Sequence, residues 1–255
     1  MNRIIKACFL AVVIAAPTVI ALLQMRNTVV DAPIVAFTLG FDYFSLVFPL
    51  LAVAVYVVGF SSKLSHGWIS SVRTRTDIGA YLTREALRNA AMSFAVFFAA
   101  VMLLAVVAFG VLPVIGAIPN FSPEVLSDEA VRTLTMEYST FTQLAQASVW
   151  LYAVVYAAWV GVWGAVFSTL AFVTLLFTGN RLVAFFLPIV LYWVENIVLS
   201  LAGLEVYRAV TSAFPFSITQ QPIGFAAVPL VWWFVAAGLL EFLVVRRRFE
   251  TAALT

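Results

Sequence analysis

Charge is what this chain has least of. Only 10% of its 255 residues are Asp, Glu, Lys or Arg, while 64% are hydrophobic. A soluble domain carries roughly a quarter charged residues, so the composition excludes a soluble fold and leaves one polytopic membrane domain. Segments of about ten residues alternating apolar and polar are missing too, which excludes a β-barrel and leaves an all-α architecture. The single cysteine, Cys8, excludes an internal disulfide and a cysteine metal cluster, and it sits in the first hydrophobic run as a small apolar residue. Histidine is equally scarce. The single His66 lies between hydrophobic runs, so neither the HExxH pair of a zinc protease nor the membrane histidine of an intramembrane serine protease is present. No GxxxxGK[ST] or other phosphate-cradling glycine loop occurs, and the chain does not itself bind ATP by such a motif. A net charge of +2 argues against nucleic acid as a partner. No catalytic residue, metal site, cofactor site, internal repeat or low-complexity segment is expected.

What is present is a series of hydrophobic runs long enough to cross a bilayer, which takes about 20 residues. Six spans are predicted, over about residues 4–23, 34–60, 91–118, 147–177, 182–204 and 224–245. The first follows a basic start, Arg3 and Lys6, but is too long for a signal core. Between the second and third lies the one long stretch that is both polar and basic, SSKLSHGWISSVRTRTDIGAYLTREALRNAA, with the connecting segment over 61–90. In it Leu64, Trp68, Ile69 and Val72 fall on one side of a short helix, with Ser62, Lys63 and His66 elsewhere. Thr76 and Asp77 suit the cap of the next helix, which should continue through Tyr81, Arg84 and Arg88 into the third span. Residues 119–143 form an acidic external loop in which Ser122-Pro123-Glu124 reads as a helix start. Thr178-Gly179-Asn180-Arg181 is a tight turn. Residues 205–223, aromatic and proline-bearing, suit short helices dipping into the outer leaflet. Lys and Arg are kept on the cytoplasmic side. Eleven of them (Arg3, Lys6, Lys63, Arg73, Arg75, Arg84, Arg88, Arg181, Arg246, Arg247, Arg248) stand on one side against three (Arg26, Arg132, Arg208) on the other. That places both termini and the 61–90 segment in the cytoplasm.

Three acids fall inside predicted spans: Asp42, Glu195 and Glu241. An ionised carboxylate is expensive at bilayer depth and faces protein or water. Glu195, nearest mid-span with Asn196 beside it, is either the wall of a polar pathway meeting a cationic or hydrogen-bonding substrate, or a protonated carboxyl hydrogen-bonded to a neighbouring helix. Asp42 lies nearer the outer interface, where solvation is cheap, and Glu241 is placed to pair with Arg246. In the fourth span Ala153, Ala157, Gly161 and Ala165 recur every fourth residue, a small-residue stripe that lets helices approach closely. The stripe is read as a packing face, within the chain or against another copy. Trp232 and Trp233 suit the aromatic belt at the outer interface.

Six spans, a basic segment with a short helix between the second and third, a half-submerged segment before the sixth and a closing run of arginines resemble the permease subunits of ABC-2 type transporters. FDYFSLVFPLLAVAVYVVGF looks like the family's second span, the 61–91 stretch like its coupling helix and the start of its third span, and FLVVRRRFE like its usual ending. The resemblance implies a dimeric pore made of two copies, or of this chain and a related one. Two separate ATP-binding subunits, carrying ATP and Mg, would dock beneath. It makes Leu64 to Val72 the coupling helix, with His66, Gly67, Trp68, Ile69, Arg73 and Arg75 at the docking face. It puts Asp42, Glu195 and Asn196 at or near the substrate path, in an exporter of lipids, drugs, peptides or polysaccharides. An ion-coupled carrier or channel working through Glu195, or a membrane scaffold or immunity protein, are the other readings.

Overall fold

A computed structural model describes residues 3–28, 30, 32–65, 78–117, 141–214 and 223–253. Among them every regular element is helical: α1 (Arg3–Gln24), α2 (Pro33–Leu39), α3 (Asp42–Ser65), α4 (Ile78–Ala105), α5 (Thr142–Ala147), α6 (Val149–Thr178), α7 (Arg181–Leu201), α8 (Ala209–Ala213) and α9 (Ile223–Ala253). A π-turn over Val106–Val111 and a last turn over Leu112–Val114 extend α4. Four helices, α1, extended α4, α6 and α7, are long and apolar enough to cross a membrane, and the bent pair α2–α3 makes a fifth. This is what a multi-pass integral membrane protein requires. The predicted sixth span falls on α9, whose described apolar stretch, Gly224–Leu240, is shorter than the about 20 residues of a full crossing.

Local chemistry explains the boundaries. Ser148 caps α6 by accepting from the Leu151 N–H at 3.4 Å. Gly179 ends α6 at φ +67, a left-handed conformation that costs glycine nothing. Asn180 then starts α7, its side-chain oxygen accepting from the N–H groups of Leu182 and Val183. The predicted turn is thus a helix stop and a helix start in four residues. The uninterrupted helix expected through Arg84 and Arg88 is α4. The second span is different from its prediction: it breaks at Gly40 and Phe41, with a 47° bend between its halves. A Cβ on Gly40 would stand 2.8 Å from the Pro17 carbonyl oxygen and 2.6 Å from Leu104, so the break is packed tightly against α1 and α4. Asp42, expected within a span, is therefore the first residue of α3, in the turn where a carboxylate suits the helix dipole.

Helix α6 is the axis of the bundle. It buries 78% of its apolar window, against 22% for α1 and for α7, which lie at the edge. Its small residues face inward: Ala153, Ala157 and Gly161 are buried and Ala165 is half-buried. Gly161 meets the Phe94 ring and carbonyl of α4, and Gly164 meets the Phe97 ring even more closely. The stripe packs within the chain. Gly164→Ala is expected to cost about 1–2 kcal/mol through overpacking, because the Phe97 ring is itself fully buried and cannot yield. Thermal unfolding in detergent reads this as a lowered midpoint. Around α6 the core is largely aromatic, with Phe37, Phe41, Phe44, Phe48, Phe97, Tyr152, Tyr156, Phe167 and Tyr192 fully or almost fully buried. Phe109, carried on the π-turn, stacks on Phe37 of α2 at 5.2 Å. Trp233 also belongs to this core and not to an interfacial belt, with its ring 5.0 Å from Phe167; Trp232 is partly exposed.

Candidate functional site

Two groups of polar side chains are held inside the bundle, one towards each end. The first lies where α3 and α4 lead to residues 66–77. On α4, Glu85, Asn89 and Ser93 recur every fourth residue, so one helix face carries all three inward, and all are buried. From α3, the Tyr56 hydroxyl donates to a Glu85 carboxylate oxygen, and the Ala52 carbonyl accepts from Ser93 Oγ at 3.4 Å. From α6, the Ser168 hydroxyl donates to Asn89 Oδ1. From α1, the Lys6 ammonium lies 5.8 Å from the Tyr56 ring centroid. Arg88 Nη1 donates to the second Glu85 oxygen at 3.1 Å while its own side chain stays more than half exposed. A buried carboxylate is tolerated when it is paired and hydrogen-bonded, and Glu85 has a phenol and a guanidinium for the purpose. Four helices meet here. Ser168→Ala, which takes the donor from a buried amide oxygen, is expected to cost about 1 kcal/mol in a detergent unfolding titration.

Sequence reasoning assigned Glu85 no role. The signal that it is buried was available: a polar residue at 85, 89 and 93 on a helix whose intervening positions are mostly apolar reads as a polar stripe between packed helices.

The second group centres on α8. Its first two N–H groups, like those of any helix, have no partner inside the helix, and its cap residue, Arg208, offers no side-chain bond. They are met from α7. Glu195 Oε2 accepts from the Ala209 N–H at 3.0 Å, and Asn196 Oδ1 accepts from the Val210 N–H at 3.3 Å. The Asn196 amide donates in turn to the Tyr192 carbonyl at 2.6 Å. From α6, Trp159 Nε1 donates to the Ser212 carbonyl at 2.7 Å. The Ser212 hydroxyl donates to the Ala226 carbonyl of α9. Tyr192 fixes α7 to α3 by donating to the Ser45 carbonyl at 3.0 Å.

The predicted site residues are thus distributed unevenly. Glu195 and Asn196 come together on one short helix: Glu195 Oε2 and Asn196 Oδ1 accept from its backbone, while Glu195 Oε1 is buried without a hydrogen-bond partner among the described residues. Asp42 belongs to neither group; it is exposed, and its carbonyl accepts from Ser45 Oγ at 2.8 Å. Leu64 lies in the last turn of α3. His66, Gly67, Trp68, Ile69, Val72, Arg73 and Arg75 lie outside the described residues, as do the Thr76–Asp77 cap, the helix start at Ser122 and the later part of the 205–223 segment. Among the described residues no cluster of His, Cys, Asp and Glu could hold a metal ion. No family model, no curated protein and no solved structure matches this chain.

Proposed function

We propose that the chain is the membrane-spanning permease subunit of an ATP-driven exporter of the ABC-2 type. In this reading it makes six spans in a bacterial plasma membrane, with both termini in the cytoplasm. Two copies, or this chain and a related one, enclose the substrate path. Separate ATP-binding subunits, carrying ATP and Mg, dock on residues 61–90. One observation carries the reading: the basic segment is approached by rigid helices on both sides. α3 runs to Ser65 and α4 begins at Ile78, and each continues directly into the packed bundle. Inside, the two are tied by Tyr56 to Glu85 and by Ser93 to the Ala52 carbonyl. A displacement applied to the segment by a docked motor reaches the core through two stiff rods joined side by side. A chain driven from outside itself needs that connection.

Gentle detergent extraction is expected to bring down a nucleotide-hydrolysing partner with this chain. Charge reversal at Arg73 and Arg75 should cut the partner's substrate-stimulated hydrolysis severalfold while leaving its basal rate. A purified chain that transports without any such partner, or full coupling after wholesale replacement of residues 63–72, would overturn the reading.

A further inference from the structure

We propose that α8 is a releasable plug closing the end of the bundle remote from the 61–90 segment, and that Glu195, Asn196 and Trp159 are its latch. Five residues are too few to hold a helix by themselves, since nucleation alone defeats so short a segment. Yet Ala209, Ser212 and Ala213 are fully buried. Something else holds α8 in place, and it is not interlocking side chains. Apart from Val210, its residues are Ala, Thr and Ser, which offer neighbours little to grip. The hold comes from bonds that other helices make to its backbone: Glu195 and Asn196 at the first turn, Trp159 at the last, with the Ser212 hydroxyl reaching α9. The one large ring of the unit is Phe214 just after α8, which sits 5.4, 6.3 and 5.1 Å from Phe41, Phe44 and Phe48.

This construction differs from that of every long helix in the chain. Withdrawing α8 breaks no intrahelical ladder of α6, α7 or α9; it exchanges a few side-chain bonds for water and takes one ring out of an aromatic socket. The connection to α7 passes through Gly203 at φ +70, a joint only glycine makes without strain. A short element held by a few replaceable bonds beside such a joint has two natural positions, seated and withdrawn. In this arrangement Glu195 acts as a hydrogen-bond acceptor, and its charge is incidental. What leaves when the plug opens rests on the proposed function; the latch does not.

The test is thiol accessibility in the purified full-length chain in nanodiscs, which needs neither partner nor transport. Cys8, the only cysteine and an exposed one, is first changed by Cys8→Ser. Thr211→Cys then places a reporter on α8, because the Thr211 hydroxyl bonds only to carbonyls of its own segment, those of Glu205, Val206 and Arg208. The reporter should react slowly with a water-soluble maleimide in this background and equally slowly with Glu195→Gln, whose amide oxygen still accepts. Glu195→Ala should speed labelling roughly twofold to tenfold, the change expected when an ordinary hydrogen bond is lost. Trp159→Phe, which keeps a ring but removes the donor, should move it the same way and decides the matter if Glu195→Ala does not fold. Labelling that is already fast in the background, or unchanged by Glu195→Ala and Trp159→Phe, overturns the latch. Glu195→Gln labelling as fast as Glu195→Ala would do so equally, since it would make the charge the working feature. Failure to find an ATPase partner would leave the labelling result standing.

Discussion

Tyr56→Phe is expected to destabilise the protein by about 1.5–3 kcal/mol, the usual cost of removing a hydrogen bond to a charged group. The Glu85 side chain is only 3% exposed, so water cannot easily replace the lost donor. Arg88 cannot make up the difference, because its guanidinium is more than half exposed and an ion pair of that kind contributes at most about 1 kcal/mol. Glu85→Gln should be milder than Tyr56→Phe, since an amide oxygen still accepts from the phenol. The double variant should be less harmful than the two single costs added together, with a coupling on the order of 1 kcal/mol, because both changes act on one contact. Denaturant titrations in detergent on the four proteins give this cycle directly. A Tyr56→Phe protein within about 0.5 kcal/mol of the parent, inside the range of ordinary surface changes, would mean that this bond does not tie α3 to α4. Under the proposed function the same variant carries a second consequence. The two rods flanking the 61–90 segment are then joined less firmly, so ATP hydrolysis should continue while transport per ATP falls.

Five of the six predicted spans, one of them as a bent pair, were legible because length and hydropathy decide them, and so was the stop-and-start at Gly179 and Asn180, because helix caps are written in single residues. The small-residue stripe of α6 was legible for a similar reason: a four-residue period survives whatever packs against it. The features that were missed depend on partners far away in sequence. The break between α2 and α3 lies in a mostly apolar run, where Gly40 and the exposed Asp42 that starts α3 are its only traces. For Glu195 a hydrogen bond to a neighbouring helix was one of two readings, but its partner could not be named, because the Ala209 N–H is a backbone group 14 residues on of a kind that every residue but proline carries. Glu85 was passed over because its neighbours in sequence, Arg84 and Arg88, are charged, whereas Tyr56 reaches it from 29 residues away. Charge next to charge in a sequence reads as surface; only a stripe four residues apart distinguishes the face that turns inward.

Phe167→Ala should cost about 4–5 kcal/mol, and the reason differs from that in a soluble protein. In detergent or lipid a phenyl ring gains little by leaving its surroundings for the protein interior, since both are apolar, so the transfer part of the usual cost largely disappears. What remains is the hole. A cavity costs about 24 cal/mol per Å³, and shortening Phe to Ala opens on the order of 100 Å³, hence about 2.4 kcal/mol if nothing collapses. Lost ring contacts add to this at about 0.5–1.5 kcal/mol each when well formed. Phe167 has Phe48 of α3 at 5.9 Å, Tyr192 of α7 at 5.7 Å and Trp233 of α9 at 5.0 Å, so one ring on α6 joins three other helices. Collapse is hindered because two of those rings are held elsewhere: Tyr192 by its bond to the Ser45 carbonyl, Phe48 by Phe97 at 4.8 Å. Phe167→Leu, which refills much of the volume without the ring edges, should cost about 1–2 kcal/mol, within the range for a shape change at conserved bulk. The order of the two variants is the discriminating result. If Phe167→Ala and Phe167→Leu lower the unfolding midpoint equally, the aromatic contacts decide and the cavity does not; if neither lowers it, α6 is not the axis on which α3, α7 and α9 are packed.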